Sequence, residues 1–298
     1  MLPASGSNLI VTNSPHLSPI IAPALTVELL AANHEAEVMA FLAERPADTF
    51  GLAGFIKSNG LVSPHNRGEF YACRDEEGEL EGVALIGHST LFAARSEAAI
   101  ATFARLAQNC PDLHMVLGEE NDVETFWYYF SDGGPTPRRS CRELLFEQRW
   151  PIRVEDAVPG LRAAVLDDLD LVVPPHTQSV KEESGVDPLQ VDAVGFRLRC
   201  ARRIEQGRTW VLLENGKLIF KAEVVSDTPD VIYLEGVWVA PEERGKGYGL
   251  RCLSQLSRTF LTRAKSVCLF VNEQNLPAQT FYRKVGFKLN SLYKTLFF

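Results

Sequence analysis

The sequence predicts an α/β (α+β) protein of two tandem units, each a mixed, mostly antiparallel sheet flanked by helices. Three observations carry that prediction. The order strand, two helices, three strands, helix, strand, helix, strand can be read twice along the 298 residues. The hairpin "TWVLLENGKLIFKAEVV" has Asn215-Gly216 at its turn, the pair that supplies the positive φ angles of a type I′ turn. The stretch "PEERGKGYG" (241–249) places three glycines between an apolar strand and an amphipathic helix. A chain of this length, 46% hydrophobic, can bury two cores of ordinary size.

In the first half, "LTVELLA" reads as a strand, and "HEAEVMAFLAER" and "GLAGFIKSNGL" as helices. "EFYACRDEEGELEGVALIG" alternates apolar and polar residues on both sides of Asp75 to Gly78, a hairpin. "STLFAA" is a further strand, "SEAAIATFARLA" a helix, "LHMVLG" a buried strand and "VETFWYYF" a short amphipathic helix. The loop "SDGGPTPRRS" leads through "RELLFEQRW" to a polar linker at 154–160, the expected boundary. The second half continues with a strand, "LRAAVL", and a helix with an irregular end, "DDLDLVVPPHTQSVKEESG". A long helix, "VDAVGFRLRCARRIEQG", stops at Gly207 before the Asn-Gly hairpin. "VIYLEGVWVA" is the strand before the glycine stretch, and the helix after it carries Leu250, Leu253, Leu256 and Phe260 on one face. "SVCLFVN" is a buried strand, "PAQTFYRKV" a helix stopped by Gly286, and "FKLNSLYKTLFF" a final extended pair. Residues 1–24, rich in Ser, Pro and Asn, read as a tail.

A formal net charge of -8 without a dense Lys/Arg cluster argues against nucleic acid as a partner. No run approaches the roughly 20 apolar residues that span a bilayer, and the N-terminus lacks the features of a signal peptide. Six dispersed cysteines without CxxC spacing fit reduced thiols in a cytoplasmic protein, and the scattered histidines do not indicate a metal site.

The glycine stretch is where chemistry enters. Its pattern is V-x-P-x-x-R-x-x-G-x-G, from Val239, Pro241 and Arg244 to Gly247 and Gly249, with Gly245 in addition. Glycines let the backbone curl so that several N–H groups face one concavity, and a helix's first turn adds unpaired donors and partial positive charge. Such a place suits a pyrophosphate. Gly247 after Lys246 spoils a Walker loop, and Leu250 spoils a dinucleotide fingerprint. The plain alternative is a structural turn.

Together with "NxxAxxFYxxxGF" (Asn275, Ala278, Phe281, Tyr282, Gly286, Phe287), the motif makes residues 161–298 resemble the GNAT superfamily of acetyl-CoA-dependent N-acetyltransferases. The whole chain resembles bacterial tandem GNAT proteins with a degenerate first half. The resemblance implies two GNAT-like domains, at 25–153 and 160–298. The first passes from "STLFAA" into its helix without a glycine loop and should not hold CoA.

The resemblance also implies the site. The main chain of Val237, Trp238 and Val239 pairs with pantetheine, and the amides of Arg244, Gly245, Lys246, Gly247, Tyr248 and Gly249 hold the pyrophosphate. Asn275 lies near the pantetheine or simply caps its helix, and Tyr282 protonates or holds the departing thiolate unless it is a core aromatic. Glu235 interrupts an apolar strand, where a carboxylate needs a reason; it reads as the base, acting through water, or as an acid at the rim of the acceptor cleft. Tyr233 shares its strand face, and Glu182, Glu183 and Asp187 either recognise a cationic amine or form a solvated helix end. The expected reaction is direct acetyl transfer to a primary amine of a small molecule or protein, with a homodimer left open. The alternative is an acyl-CoA-binding regulatory or docking protein without catalysis.

Overall fold

A computed structural model describes residues 25–152 and 157–298; the predicted tail and part of the predicted linker lie outside the described residues. The first half runs β1 (Thr26–Leu29), α1 (Glu35–Leu42), α2 (Pro46–Asn59), β2 (Gly68–Arg74), β3 (Leu80–Gly87), β4 (Ser89–Ala94), α3 (Glu97–Ala107), β5 (Met115–Glu119), α4 (Glu120–Phe130) and β6 (Arg139–Gln148). The second repeats the order: β7 (Arg162–Ala163), α5 (Leu169–Ser184), α6 (Pro188–Glu205), β8 (Thr209–Glu214), β9 (Lys217–Asp227), β10 (Val231–Val239), α7 (Tyr248–Phe260), β11 (Ser266–Asn272), α8 (Leu276–Val285) and β12 (Lys288–Phe297).

Local chemistry explains many of the boundaries. Asn215 and Gly216 adopt φ of 51° and 75° at the β8–β9 turn. The side chains of Ser96, Asp187 and Asn275 cap α3, α6 and α8. Asp192 leaves helical geometry inside α6 and its Oδ1 accepts from the Gly195 N–H at 2.8 Å. On α7, Leu253, Leu256 and Phe260 are buried, with Leu250 packed beside them on the same core. The C-terminal segment forms one ten-residue strand instead of an extended pair; its register shifts between Leu289 and Ser291.

All twelve strands join one sheet, ordered β1-β2-β3-β4-β5-β12-β6-β11-β10-β9-β8-β7. Only β4–β5 and β10–β11 pair in parallel among the described strands. At the centre the halves exchange their last strands: β12 lies between β5 and β6, and β6 lies between β12 and β11. One face of the sheet carries α3 and α4 over Phe92, Val116 and Leu296, and α7 and α8 over Phe146, Ile232 and Val267. The opposite face carries α1 and α2 over Phe70 and Leu85, and α5 and α6 over Val211 and Leu218. Between α2 and the α5–α6 pair, on that second face, lies a cavity of about 930 Å³, within the range of small-molecule sites.

Candidate active site

Parallel pairing of β10 with β11 ends at Leu234 opposite Leu269. Beyond it, β11 pairs with β6 alone and β10 with β9 alone, so the two strands splay apart. Register shifts flank Glu235, and Gly236 takes φ +55° in the resulting bulge. A side chain at Gly236 would be strained by that φ, and its Cβ would stand 2.8 Å from Lys221 Nζ. Val237 and Val239 pack toward α7 and α8, in the same cluster as Tyr248 and Tyr282, while Glu235 lines the cavity on the other face. The splay is therefore a gap through which the two faces of the sheet meet.

At the α7 side of this gap, Gly245 and Gly247 adopt φ of +78° and +87°. A Cβ at either would meet nothing within 4 Å, so the loop curls around open space. Gly249 is the opposite case: a Cβ there would press at 3.2 Å on Phe281 and Val239. The Arg251 N–H bonds Gly247 O, which leaves the Tyr248, Gly249 and Leu250 amides without helical acceptors. The donor set and the open concavity fit a pyrophosphate. Arg244 Nε bonds Val239 O at 3.2 Å and Lys246 pairs with Glu243 at 2.9 Å, so both cations are tethered to the loop's rim.

Tyr282 is half-buried between Phe281 and Phe287, with ring centroids at 5.1 and 6.0 Å, and burial pushes its phenol well up. Its hydroxyl bonds no described residue. Asn275 Oδ1 accepts from the Ala278 N–H at 3.0 Å and caps α8 on the exposed surface. Trp238 faces away, against the cluster under α5, with a buried and unpaired indole N–H.

On the cavity side, burial raises Glu235 above the ordinary carboxylate range, while Arg203 and a hydrogen bond from Tyr233 oppose the shift. Burial also drives the Tyr233 phenol well up, reinforced by the charges of Glu235 and Glu183. Glu183 is exposed by surface area, but that surface faces the cavity; burial and the neighbouring Glu235 and Glu143 raise it. Glu182, one residue before, points elsewhere: it accepts from Gln178 Nε2 at 2.8 Å and does not line the cavity. Of the two acids singled out on this helix, the structure brings one to the site.

Two features escaped the sequence. Glu143, on the exchanged strand β6, is 7% exposed and raised to about 7 by burial, with Asn272 Nδ2 at 3.4 Å as its hydrogen-bond donor. Nothing local marks it, because "RELLFEQ" becomes part of the site only through long-range pairing. The second is a buried ion network behind the bulge. Lys221 Nζ reaches Glu223 at 2.7 Å and Gly236 O at 3.2 Å, and Arg203 and His176 also reach Glu223. Burial opposes ionisation of Glu223, but the Lys221 and Arg203 charges hold its carboxyl far below the usual range. Burial keeps His176 neutral, lowered to about 3. The network pins the Gly236 carbonyl to β9 and so fixes the bulge. Alternating apolar letters around Lys221 and Glu223 were the available signal, since buried charges in a strand must be paired.

In the first half, β4 leads into α3 through Ser96, whose Oγ accepts from the Ala99 N–H at 3.4 Å. That helix start is closed by its own side chain and has no glycine loop. No helix among the described residues is long and apolar enough to cross a membrane.

A glycine loop, a helix N-terminus and a splayed parallel strand pair, set in a mixed sheet with helices on both faces, make up the candidate site. The model of the acetyltransferase (GNAT) family matches residues 177–287. A UPF0039 protein of Schizosaccharomyces pombe is 35% identical over 74 residues, which are 25% of this chain and 49% of that protein. The chain thus spans about half the length of that relative. Among solved structures, a Drosophila protein aligns with a TM-score of 0.65 at 11% identity, covering 91% of this chain and 98% of its own. An acetyltransferase from the GNAT family of Colwellia psychrerythraea aligns at 0.56 and 13% identity, covering 92% and 100%. A tandem GNAT protein from the clavulanic acid biosynthesis pathway aligns at 0.55 and 14% identity, covering 92% and 98%. At such identities the likeness shows the fold alone, and it extends over nine-tenths of the chain.

Proposed function

We propose that this protein is a cytoplasmic N-acetyltransferase that moves the acetyl group of acetyl-CoA directly to a primary amine. The observation that carries the reading is the gap between β10 and β11, which joins a phosphate-fitting loop on one face to an acid-lined cavity on the other. Bound acetyl-CoA would supply the acetyl group as an activated thioester. The Gly245–Gly249 loop and the free amides of α7 would hold its pyrophosphate, and the unpaired edge of β10 at Val237–Val239 its pantetheine arm.

Glu235 takes a proton from the acceptor ammonium, and its raised proton affinity makes it a stronger base than an ordinary carboxylate. Glu143 and Glu183 line the same cavity and offer carboxyl oxygens as hydrogen-bond acceptors for the acceptor's N–H groups. Tyr282, among the side chains on the far side of the gap, holds a proton for the departing sulfur. Direct transfer is supported by the cysteines: Cys252 and Cys268 are buried with thiols pushed up to about 12, so neither offers a thiolate for a covalent intermediate. The cytoplasmic assignment rests on six unpaired cysteines.

The test is CoA release from acetyl-CoA by the purified protein across a panel of primary amines. Amine-dependent release is expected, with kcat lowered about 10²- to 10⁴-fold in Glu235→Gln. Tight CoA binding without amine-dependent release would replace this reading with a binding protein that does no chemistry.

A further inference from the structure

The cavity has a second acidic pocket that the transfer step does not use, and the first half supplies its acids. Strand register places Glu119, Tyr293 and Glu143 side by side across β5, β12 and β6. Asp48, in the first turn of α2, and Asp122, in the first turn of α4, join Glu119 along the wall. With adjacent strands about 4.8 Å apart, Glu119 stands about 10 Å from Glu143 and about 19 Å from β10, which carries Glu235.

Asp48, Glu119 and Asp122 are half-buried, and their carboxyl groups make no hydrogen bond or ion pair with any described residue. Burial raises all three. The cation acting on them, Arg45, has its guanidinium bonded to Ala94 O at 3.0 Å. Helix N-termini favour acids, which accounts for Asp48 and Asp122 being present. It does not account for Tyr293. That residue is 4% exposed, its hydroxyl is buried without a partner, and it feels the charges of Asp48, Glu119 and Asp122. A buried hydroxyl left unpaired is costly and asks for a hydrogen-bonding ligand.

Three of the cavity's arginines are engaged away from these acids. Arg203 pairs with Glu223, Arg199 with Asp192, and Arg202 with Asn59 Oδ1. Between the two acidic pockets the floor is aromatic, with Phe50, Tyr233, Phe270 and Tyr293 in a chain of ring contacts 4.7 to 5.3 Å apart. Such a floor suits methylene groups and attracts cations.

We propose that Asp48, Glu119 and Asp122, gathered around the Tyr293 hydroxyl, form a subsite for the distal ammonium of a linear aliphatic polyamine whose near amine reacts at Glu235. The proposal rests on the acyltransferase reading above and names its acceptor class. The first half thereby selects the acceptor while the second half performs the transfer.

The experiment compares α,ω-diamines, from diaminobutane to diaminododecane, with n-alkylamines of equal length. In turnover, kcat/KM is expected to favour the longer diamines by about tenfold or more, as one added charge-assisted contact would. That ratio should collapse toward one in Asp48→Asn/Asp122→Asn, and fall in Tyr293→Phe, which keeps the ring if the double variant does not fold. Equal efficiency for long diamines and alkylamines overturns the subsite and leaves the acyltransferase intact. If no amine is acetylated, that reading fails and the subsite is judged alone, by thermal shift with diamine and no acetyl-CoA. A shift lost in either variant supports it; no shift, or one the variants leave unchanged, overturns it.

Discussion

Glu143 belongs by sequence to the first half, yet its charge bears on Glu183 of the second. Burial raises it to about 7, so the folded protein holds a proton that the unfolded chain, with an ordinary carboxylate, releases near pH 4. The stabilisation from that proton is full below pH 4 and lost as pH rises through 7. Glu143→Gln cannot ionise, so urea denaturation should find it about 3 kcal/mol more stable than the parent at about pH 8 and no different at about pH 4. Equal stability at both pH values would mean that the carboxyl is solvated and does not titrate where its burial places it. Glu235 differs in legibility, because an acid in "VIYLEGVWV" breaks an apolar strand and shows in the letters themselves. Glu143 sits in a strand already carrying Glu147, Arg139 and Arg142, where one more charge attracts no notice.

At the scale of elements, α7 and α3 are counterparts that start differently. Gly247 ends the loop at φ +87° and leaves the first amides of α7 open, whereas Ser96 closes α3. Gly247→Asp should strain that φ and place a carboxylate where the loop suits a phosphate. CoA is expected to raise the parent's Tm and to leave the variant's unchanged. Gly247 is exposed, and a Cβ added there would meet open space, so the variant should keep its fold by circular dichroism. A CoA shift equal to the parent's would make the loop a structural turn. This element was readable in advance because a turn's dihedrals are set by its own residues. The splay of β10 was not, because it depends on which neighbour each stretch of strand finds.

Across the whole molecule, the exchange of β6 and β12 makes the two halves one sheet. Cutting the chain after Ile152 would leave β5 and β11 as open edges and strip each half of a central strand. The halves expressed separately should fail to give monomers with a cooperative thermal transition, while co-expression should restore a stable one-to-one complex. A cooperatively folded, monomeric second half, seen by calorimetry and gel filtration, would contradict this. The exchange also explains why the cavity draws on both halves: β12 brings Tyr293 beside Glu119, and β6 brings Glu143 beside Asn272.

The sequence alone determined the repeated element order, the Asn-Gly hairpin, the glycine loop and the positions of Glu235 and Tyr282. Each is written in short-range periodicity or in the backbone freedom of particular residues. Only the tertiary structure decided that the last strands cross over, that Glu183 and not Glu182 reaches the cavity, and that Glu143 and the Lys221–Glu223 network belong to the site. Strand pairing and burial join residues more than a hundred positions apart, as between β6 and β12, and a linear reading has no measure of that distance.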